Sequence, residues 1–559
     1  MIVSALVKRY EDLQDVPYGW QKRDVSYALE IDKNGNLLGV ATLEMVDGKK
    51  RTKRNFELPT EPPGRTSGIK AAFLCDNGGY MLGLDEKRGK EKFEAARTHH
   101  KEILANINTA SANAIIAYFN NGIPKGITEF IDIDTASKAT FIFQVNGKFV
   151  DVNDSAICGA WNDFYCKDIE DTELTRCLIS GKLAPPAKVH STVALRGGHT
   201  SGSYLISANA DSFTSYGKTT KERAADIGRY SAFAYTTALN ALLKDENHRR
   251  FIGVDTLVFW AEKGGTAEES FFCDLLEPPK ADEDGELMNV LDKIAKGDMV
   301  NDFKSERKFY LLCLSPNSAR ISVRFFHVGD FGDLIHKIKE HYARLEIIGD
   351  NKTPFNYLPL WLILSETTIK KKSGDANPLL GGQFLRSILV GTKYPFMLYH
   401  AMIMRIRASD EINKTKAAVV KAVLINNFNE REVTTVALNE KTDNKPYVLG
   451  RLFAVMERLQ EKANGSATIR GRYFASACSN PGNVFPTLLS LSMHHSEKLD
   501  NAIFFEKLKT ELLWKLDDDT PFPAVFNIDD QGKFILGYYH QTQWFFTKKE
   551  KEEGKANEQ

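Results

Sequence analysis

The stretch GLDEKRGKE (Gly83 to Glu91) comes close to a phosphate-binding loop, whose backbone amides cradle phosphates and whose terminal Ser or Thr reaches Mg²⁺. Five residues separate its glycines where that loop has four, and Glu91 stands where the hydroxyl is needed, so the motif is rejected. RGGHTSGS (Arg196 to Ser203) offers Gly-x-x-Ser-Gly, which lacks the spacing of a nucleophile elbow at Ser201. Ser67 and Lys70 match Ser-x-x-Lys, but the companion motifs of that chemistry are absent. His99-His100 and His494-His495 are adjacent pairs, so on a helix their side chains diverge by about 100° and do not chelate together. The seven cysteines are scattered, odd in number and without a CxxC pair, which fits reduced thiols and gives no zinc framework. No HExxH and no Cys-His ligand set appears, so neither a metal nor another cofactor is expected. The remaining catalytic candidates are acidic: Asp76 and the run Asp517-Asp518-Asp519, which reads as a polar turn before Pro521.

Positive charge is the more informative chemistry. The chain balances 73 basic against 73 acidic residues, which alone argues against a nucleic-acid partner, but the distribution is uneven. Lys370 to Lys421 holds ten basic residues against three acidic, including Arg386, Lys393, Arg405 and Arg407. Lys49 to Lys70 holds seven against two, with Lys49, Lys50, Arg51, Lys53, Arg54, Arg65 and Lys70. In GRLFAVMERLQEKANGSATIRGRYFASA, Arg451, Arg458 and Lys462 recur at i, i+7 and i+11 along the edge of an apolar helical arc (Leu449, Leu452, Phe453, Val455, Met456, Leu459). Arg470 and Arg472 follow a turn at Asn464-Gly465-Ser466. The plain alternative is a solvated helix edge, but the repeated clustering favours a polyanion partner.

Two polar loops lie beside these cations. Asp76-Asn77-Gly78-Gly79 presents an amide flanked by small residues, able to approach base edges in a groove. SANADSFTSYGKTT (Ser207 to Thr220) offers Asn209, Ser212, Ser215, Tyr216 and Lys218 ahead of a helix.

The elements that must carry these residues form an α+β chain. At 559 residues with 43% apolar content it is globular and long enough for about three or four domains. VSYALEID and LLGVATLEMV flank Lys33-Asn34-Gly35-Asn36, and TFIFQV and KFVDV flank Asn146-Gly147; both read as antiparallel hairpins. Helices are expected from about Glu91 to Phe119, from Lys221 to Leu243 and from Asp330 to about Leu345, and strands at 256–262 and 321–328. An acidic insert follows Leu276. From about Leu380 helical periodicity dominates, so the mixed α/β body is assigned to 1–365 and a C-terminal helical bundle to 366–559, ending in a frayed charged tail. The N-terminal MIVSALVKRYEDLQD has the wrong charge order for a signal peptide, and the longest apolar run (Tyr357 to Leu364) is too short to span a bilayer. A cytoplasmic protein with no membrane partner is expected.

Together, RTSGIKAAFLCDNGGYMLGL, LISANADSFTSYGK, LVFWAE, LSPNSARISVRFF, GGQFLRSILVGTKYPFMLYHAMIMRIRA, YVLGRLFAVMERLQEKA, ATIRGRYFASA, VFPTLLSLSMHH and GYYHQTQWFFTKK resemble the large subunit of the type I-C (Dvulg-type) CRISPR Cascade surveillance complex. The resemblance implies a non-catalytic subunit of an RNA-guided antiviral ribonucleoprotein. Such a subunit recognises the short flanking motif (PAM) in double-stranded DNA, helps part the strands, holds displaced single-stranded DNA and recruits the helicase-nuclease. Its implied partners are DNA, the guide RNA (crRNA) complex, the Cascade backbone and small subunits, and that helicase-nuclease. It also implies that residues from about 448 to 559 resemble a small subunit, separately produced from a start near Val448 or Met456. On this reading Lys70, Asn77, Gly78, Gly79 and the Asn209–Lys218 loop contact the motif. Lys49 to Arg54 and Arg65 hold duplex phosphates, and Arg386, Lys393, Arg405, Arg407, Arg451, Arg458, Lys462, Arg470 and Arg472 guide the unwound strand. The alternatives are a metal-dependent nuclease subunit and a protein-only scaffold.

Overall fold

The computed structural model describes residues 2–557 apart from 14–15, 48–49, 63–67, 168–172, 279–288, 290–302, 350–354, 356, 370–375, 409–411 and 518. Most of the acidic insert, Lys49 and Arg65 therefore lie outside the described residues. The chain divides into two units, one of residues 1–244 with 318–320 and one of residues 245–317 with 321–559.

In the first unit, after helix α1 (Ile2–Leu13), strands β1 (Trp20–Val25), β2 (Tyr27–Ile31), β3 (Leu37–Thr42), β4 (Glu44–Asp47) and β5 (Lys50–Pro59) follow in close succession. Asp32 closes the β2–β3 hairpin by accepting the amides of Asn34 and Asn36, each at 2.8 Å. β1, β5 and β4 form an antiparallel sheet with β5 in the middle. β6 (Cys75–Asn77) leads into the short helix α2 (Gly78–Met81), then α3 (Gly89–Leu104), α4 (Ala110–Asn120) and α5 (Ile133–Lys138). β7 (Thr140–Val145) and β8 (Lys148–Phe149) form the second expected hairpin, turning through Asn146 (φ 48°) and Gly147 (φ 78°). A sheet of order β3-β2-β7-β6 results, in which β2 and β7 run parallel. Its Leu29, Ile31, Phe141 and Phe143 share a core with Phe93, Ile103, Ile115 and Phe119 of α3 and α4.

The single helix expected over 91–119 is two helices. Thr109 accepts the amide of Ala112 at 3.2 Å and starts α4 afresh, the side-chain capping that Ser and Thr offer the backbone in place of helix continuation. After α6 (Ser155–Lys167) and the short pair β9 (Thr175–Arg176) and β10 (Leu183–Ala184), the helix expected from Lys221 begins only at Arg229, as α7 (Arg229–Lys244).

The second unit opens with β11 (Arg249–Ile252) and β12 (Asp255–Ala261), helix α8 (Thr266–Leu276), then β13 (Lys308–Asn317) and β14 (Arg320–Asp330), giving a sheet of order β11-β12-β13-β14. Every residue of β12 is buried. Helices α9 (Phe331–Leu345), α10 (Leu360–Glu366), α11 (Leu380–Val390), α12 (Phe396–Ala408), α13 (Lys414–Phe428), α14 (Lys445–Asn464), α15 (Ile469–Ala477), α16 (Pro481–Glu497), α17 (Ile503–Trp514) and α18 (Ile528–Asn557) follow. The helix reaching Asn557 occupies residues expected as a frayed tail. Phe259, Leu311 and Phe331 lie in one hydrophobic cluster with Phe384, Leu398, Leu424 and Phe453. The contact division falls at 244/245, and the β11–β14 sheet buries its apolar side chains with the helices of the second unit. α14 and α18 approach closely through glycine: a Cβ on Gly450 would stand 2.0 Å from Phe534 O, and one on Gly537 2.0 Å from Tyr447 O. Among the described residues, no helix is long and apolar enough to cross a membrane.

Candidate nucleic-acid interface

Asn77 ends β6 and caps α2, its Oδ1 accepting the Gly79 amide at 3.0 Å. With the carbonyl oxygen so engaged, the half-buried side chain keeps its NH₂ as a donor. Gly78 and Gly79 are buried, so they do not open the loop to a ligand as their small size suggested. Gly78 instead packs on backbone, since a Cβ there would meet Ala136 O at 2.2 Å. Asp76 is wholly buried and accepts the amides of Ala72 and Asn77, each at 2.8 Å, which makes it a framework carboxylate and not an open metal ligand. Behind the loop, the amide of Leu74 donates to His100 Nε2 at 3.0 Å while His100 Nδ1 donates to Ala96 O at 2.8 Å. Burial lowers the His100 pKa to about 3 and keeps the ring neutral. Lys70 is exposed, and its amide donates to the Tyr80 hydroxyl at 3.2 Å. Lys92 lies 5.6 Å from the centre of the Tyr80 ring and pairs with Asp85, whose pKa its hydrogen bond draws down to about 2.

The Asn209–Lys218 loop also belongs to the first unit. Ser212 and Ser215 are exposed, and Tyr216 is 100% exposed at φ 54°, the left-handed region that a tyrosine rarely adopts. Lys218 pairs with Asp226, which Arg223 also holds at 3.0 Å. Asn209 Oδ1 accepts from Arg320 Nη2 at 2.9 Å, and the Arg320 guanidinium lies 5.3 Å from the centre of the Phe213 ring. Neither Arg320 nor Phe213 stood out in the sequence. The turn residues Asn317-Ser318 before Arg320 were the available signal that this arginine tips a hairpin.

Of the N-terminal cations, Lys53 and Arg54 are exposed on β5, and the backbones of Lys50 and Arg51 lie on the same strand. The Arg54 guanidinium covers Phe149 at 4.7 Å and Phe56 at 5.1 Å, a planar cation already seated on aromatic faces.

In the second unit, the expected arginine stripe is not one surface. Arg451 is 3% exposed; its Nε donates to Gln541 Oε1 at 3.0 Å and its Nη1 to Asn439 O at 3.4 Å, and burial lowers its pKa. The helix wheel put it at the edge of the apolar arc, but α18 covers that edge. Arg458 is half-buried, paired with Glu461 and 5.8 Å from the centre of the Phe546 ring. Arg470 is half-buried, donates to the Tyr538 hydroxyl at 2.9 Å and stacks on Phe474 and Tyr538. Arg407 reaches Gln531 Oε1 at 3.4 Å and Ser479 Oγ at 3.5 Å, and Arg405 is half-buried. Lys462, Arg472, Arg386 and Lys393 are exposed. Val448 and Met456 are both buried within α14.

Asp517 pairs with Lys445 and accepts the Thr520 amide at 2.8 Å, a polar turn; Asp518 lies outside the described residues. Among the described residues, no group of three or more His, Cys, Asp or Glu side chains is placed to hold a metal ion. The geometry offers exposed cations, aromatic platforms and a fixed polar loop, the components of polyanion recognition.

Comparison with curated proteins returns no match. The family model for CRISPR-associated protein (Cas_Csd1) matches residues 6–546. The chain belongs to this CRISPR-associated Cas_Csd1 family, consistent with the large subunit of the type I-C Cascade complex.

Proposed function

We propose that this chain is the subunit that recognises the PAM in duplex DNA, assists strand separation, holds displaced DNA and recruits the helicase-nuclease, with no chemistry of its own. The observation that carries this reading is the wholly exposed Tyr216, held at positive φ on a loop whose two ends are tied down. An aromatic ring kept out of the core, on a backbone held at both ends of its loop, is suited to enter a base stack at the opened end of a duplex. The Asn77 NH₂ supplies a donor for a base acceptor, and the exposed Lys70, whose amide is tied to Tyr80 of α2, adds a cation. Lys53 and Arg54 neutralise duplex phosphates, and Lys462, Arg472, Arg386 and Lys393 track a displaced strand through its backbone. Guide RNA pairing supplies the sequence specificity of the target itself.

The test is strand opening in the assembled complex, read by 2-aminopurine fluorescence beside the PAM. Tyr216→Ala is expected to slow opening while leaving assembly unchanged. Opening at the normal rate would refute the role of the loop.

A further inference from the structure

Residues 318–320 group with the first unit, although the strands that carry them, β13 and β14, otherwise group with the second. Their backbone is fixed at two points: Ser203 Oγ donates to Ser318 O at 3.0 Å, and the Tyr204 amide donates to Ala319 O at 2.9 Å. Tyr204 and Arg320 form a parallel bridge at the same place. From this anchored turn Arg320 meets the loop twice, by its hydrogen bond to Asn209 and by stacking on Phe213. These contacts bracket the short helical turn Asp211–Phe213. On the far side Asp211 Oδ1 accepts the Lys221 amide at 2.8 Å, and Asp226 gathers Lys218 and Arg223. Thr214 to Gly217, with Tyr216, forms the apex between the two restraints.

We propose that Arg320 is a positioning residue for motif discrimination: it clamps the 207–220 loop before DNA arrives, so that the loop meets the flanking bases in one arrangement. The proposal rests on the reading of that loop as a motif contact. A loop that must be ordered on binding spends part of its interaction energy on ordering, and the loss falls on the cognate motif, the one whose contacts need the fixed geometry. The contacts require the planar guanidinium, because a lysine carries the same charge but neither stacks flat on Phe213 nor holds the same fork. Phosphate binding by Arg320, in contrast, would depend on charge and little on shape.

The experiment uses the assembled complex with Arg320→Lys, Arg320→Ala and Phe213→Ala. It reads the affinity ratio between the preferred and a mismatched flank, the salt slope of binding, and hydrogen exchange of the 207–220 amides without DNA. Arg320→Lys is expected to reduce discrimination about fivefold to tenfold, to raise exchange across 207–220, and to leave the salt slope unchanged. Phe213→Ala should move in the same direction. Unchanged exchange in both arginine variants would overturn the clamp. Intact discrimination in Arg320→Lys, with Arg320→Ala weakening all targets and shallowing the slope by about 0.9, would make Arg320 a phosphate contact instead. Raised exchange with unaltered discrimination, alongside an unaltered flank preference in Tyr216→Ala, would overturn the reading of the loop rather than the clamp.

Discussion

Arg451 and Lys462 lie on one helix and separate two kinds of basic residue. Arg451 is 3% exposed and donates two hydrogen bonds, at 3.0 and 3.4 Å, to neutral acceptors. A buried bond to a charged group contributes about 1.5–3 kcal/mol, and the longer of the two stands near the limit of useful geometry. Desolvation of the guanidinium offsets part of this, while Arg451→Ala adds a cavity and leaves Gln541 Oε1 without its donor. The net expectation is a loss of about 2–3 kcal/mol for Arg451→Ala. Arg451→Met refills the volume but not the bond and should lose about 1–2 kcal/mol. Lys462→Ala and Arg472→Ala, at exposed positions, should stay within about 0.5 kcal/mol of the parent. Urea unfolding followed by tryptophan fluorescence measures the first effect, and the salt slope of single-stranded DNA binding measures the second. Each exposed cation that contacts a phosphate should reduce the slope by about 0.7, and Arg451→Ala should leave it unchanged. Unaltered stability in Arg451→Ala together with a shallower salt slope would refute the reasoning.

Three further outcomes follow from the geometry. Burial lowers the pKa values of His100, His341 and His540 each to about 3, so the unfolded chain binds more protons than the folded one between pH 3 and 6.5. Stability is therefore full above about pH 6.5 and falls as pH drops, by ~2 kcal/mol at pH 5 for His100 alone; a urea midpoint flat from pH 7 to 5 would contradict this. Asn77→Ala should cost about 1 kcal/mol through the lost cap and also relax motif preference, whereas Asn77→Ser restores the cap without the donor NH₂. Flank selection by Asn77→Ser that matches the parent would show that Asn77 only caps. Tyr216→Ala should leave unfolding unchanged and weaken binding at the flank by about 1–3 kcal/mol per unstacked base, measured by titration of a duplex with a pre-opened flank; equal affinity would exclude stacking.

Local signals made much of the fold legible. Lys33-Asn34-Gly35-Asn36 and Asn146-Gly147 marked their hairpins because turn chemistry is set by adjacent residues, and the helices after Leu380 declared their periodicity. The break at Thr109 was missed because a capping threonine inside a helical pattern differs little from a tolerated one. The partition at 244/245 was hidden for a different reason: strands β11 to β14 look alike whichever core receives them. The site divides the same way. Exposure of Lys53, Arg54 and Lys462 agrees with their polar surroundings in sequence, but the burial of Arg451 depends on α18, about 90 residues downstream. Gly78 suggested an open loop, yet the residue opposing it is Ala136. Arg320 and Phe213 become partners only when a hairpin turn meets a loop that precedes it by over a hundred residues, as the separation of 111 between Arg320 and Asn209 records.

The most direct measurement of the central claim is selection. The chain is assembled with its guide RNA and backbone subunits, and bound duplexes are recovered from a pool carrying a randomised trinucleotide beside the target. A sharp flanking motif that vanishes when this subunit is omitted is the predicted result. Tight binding with no flank preference in the complete complex would contradict it, leaving the chain a strand-holding or docking subunit.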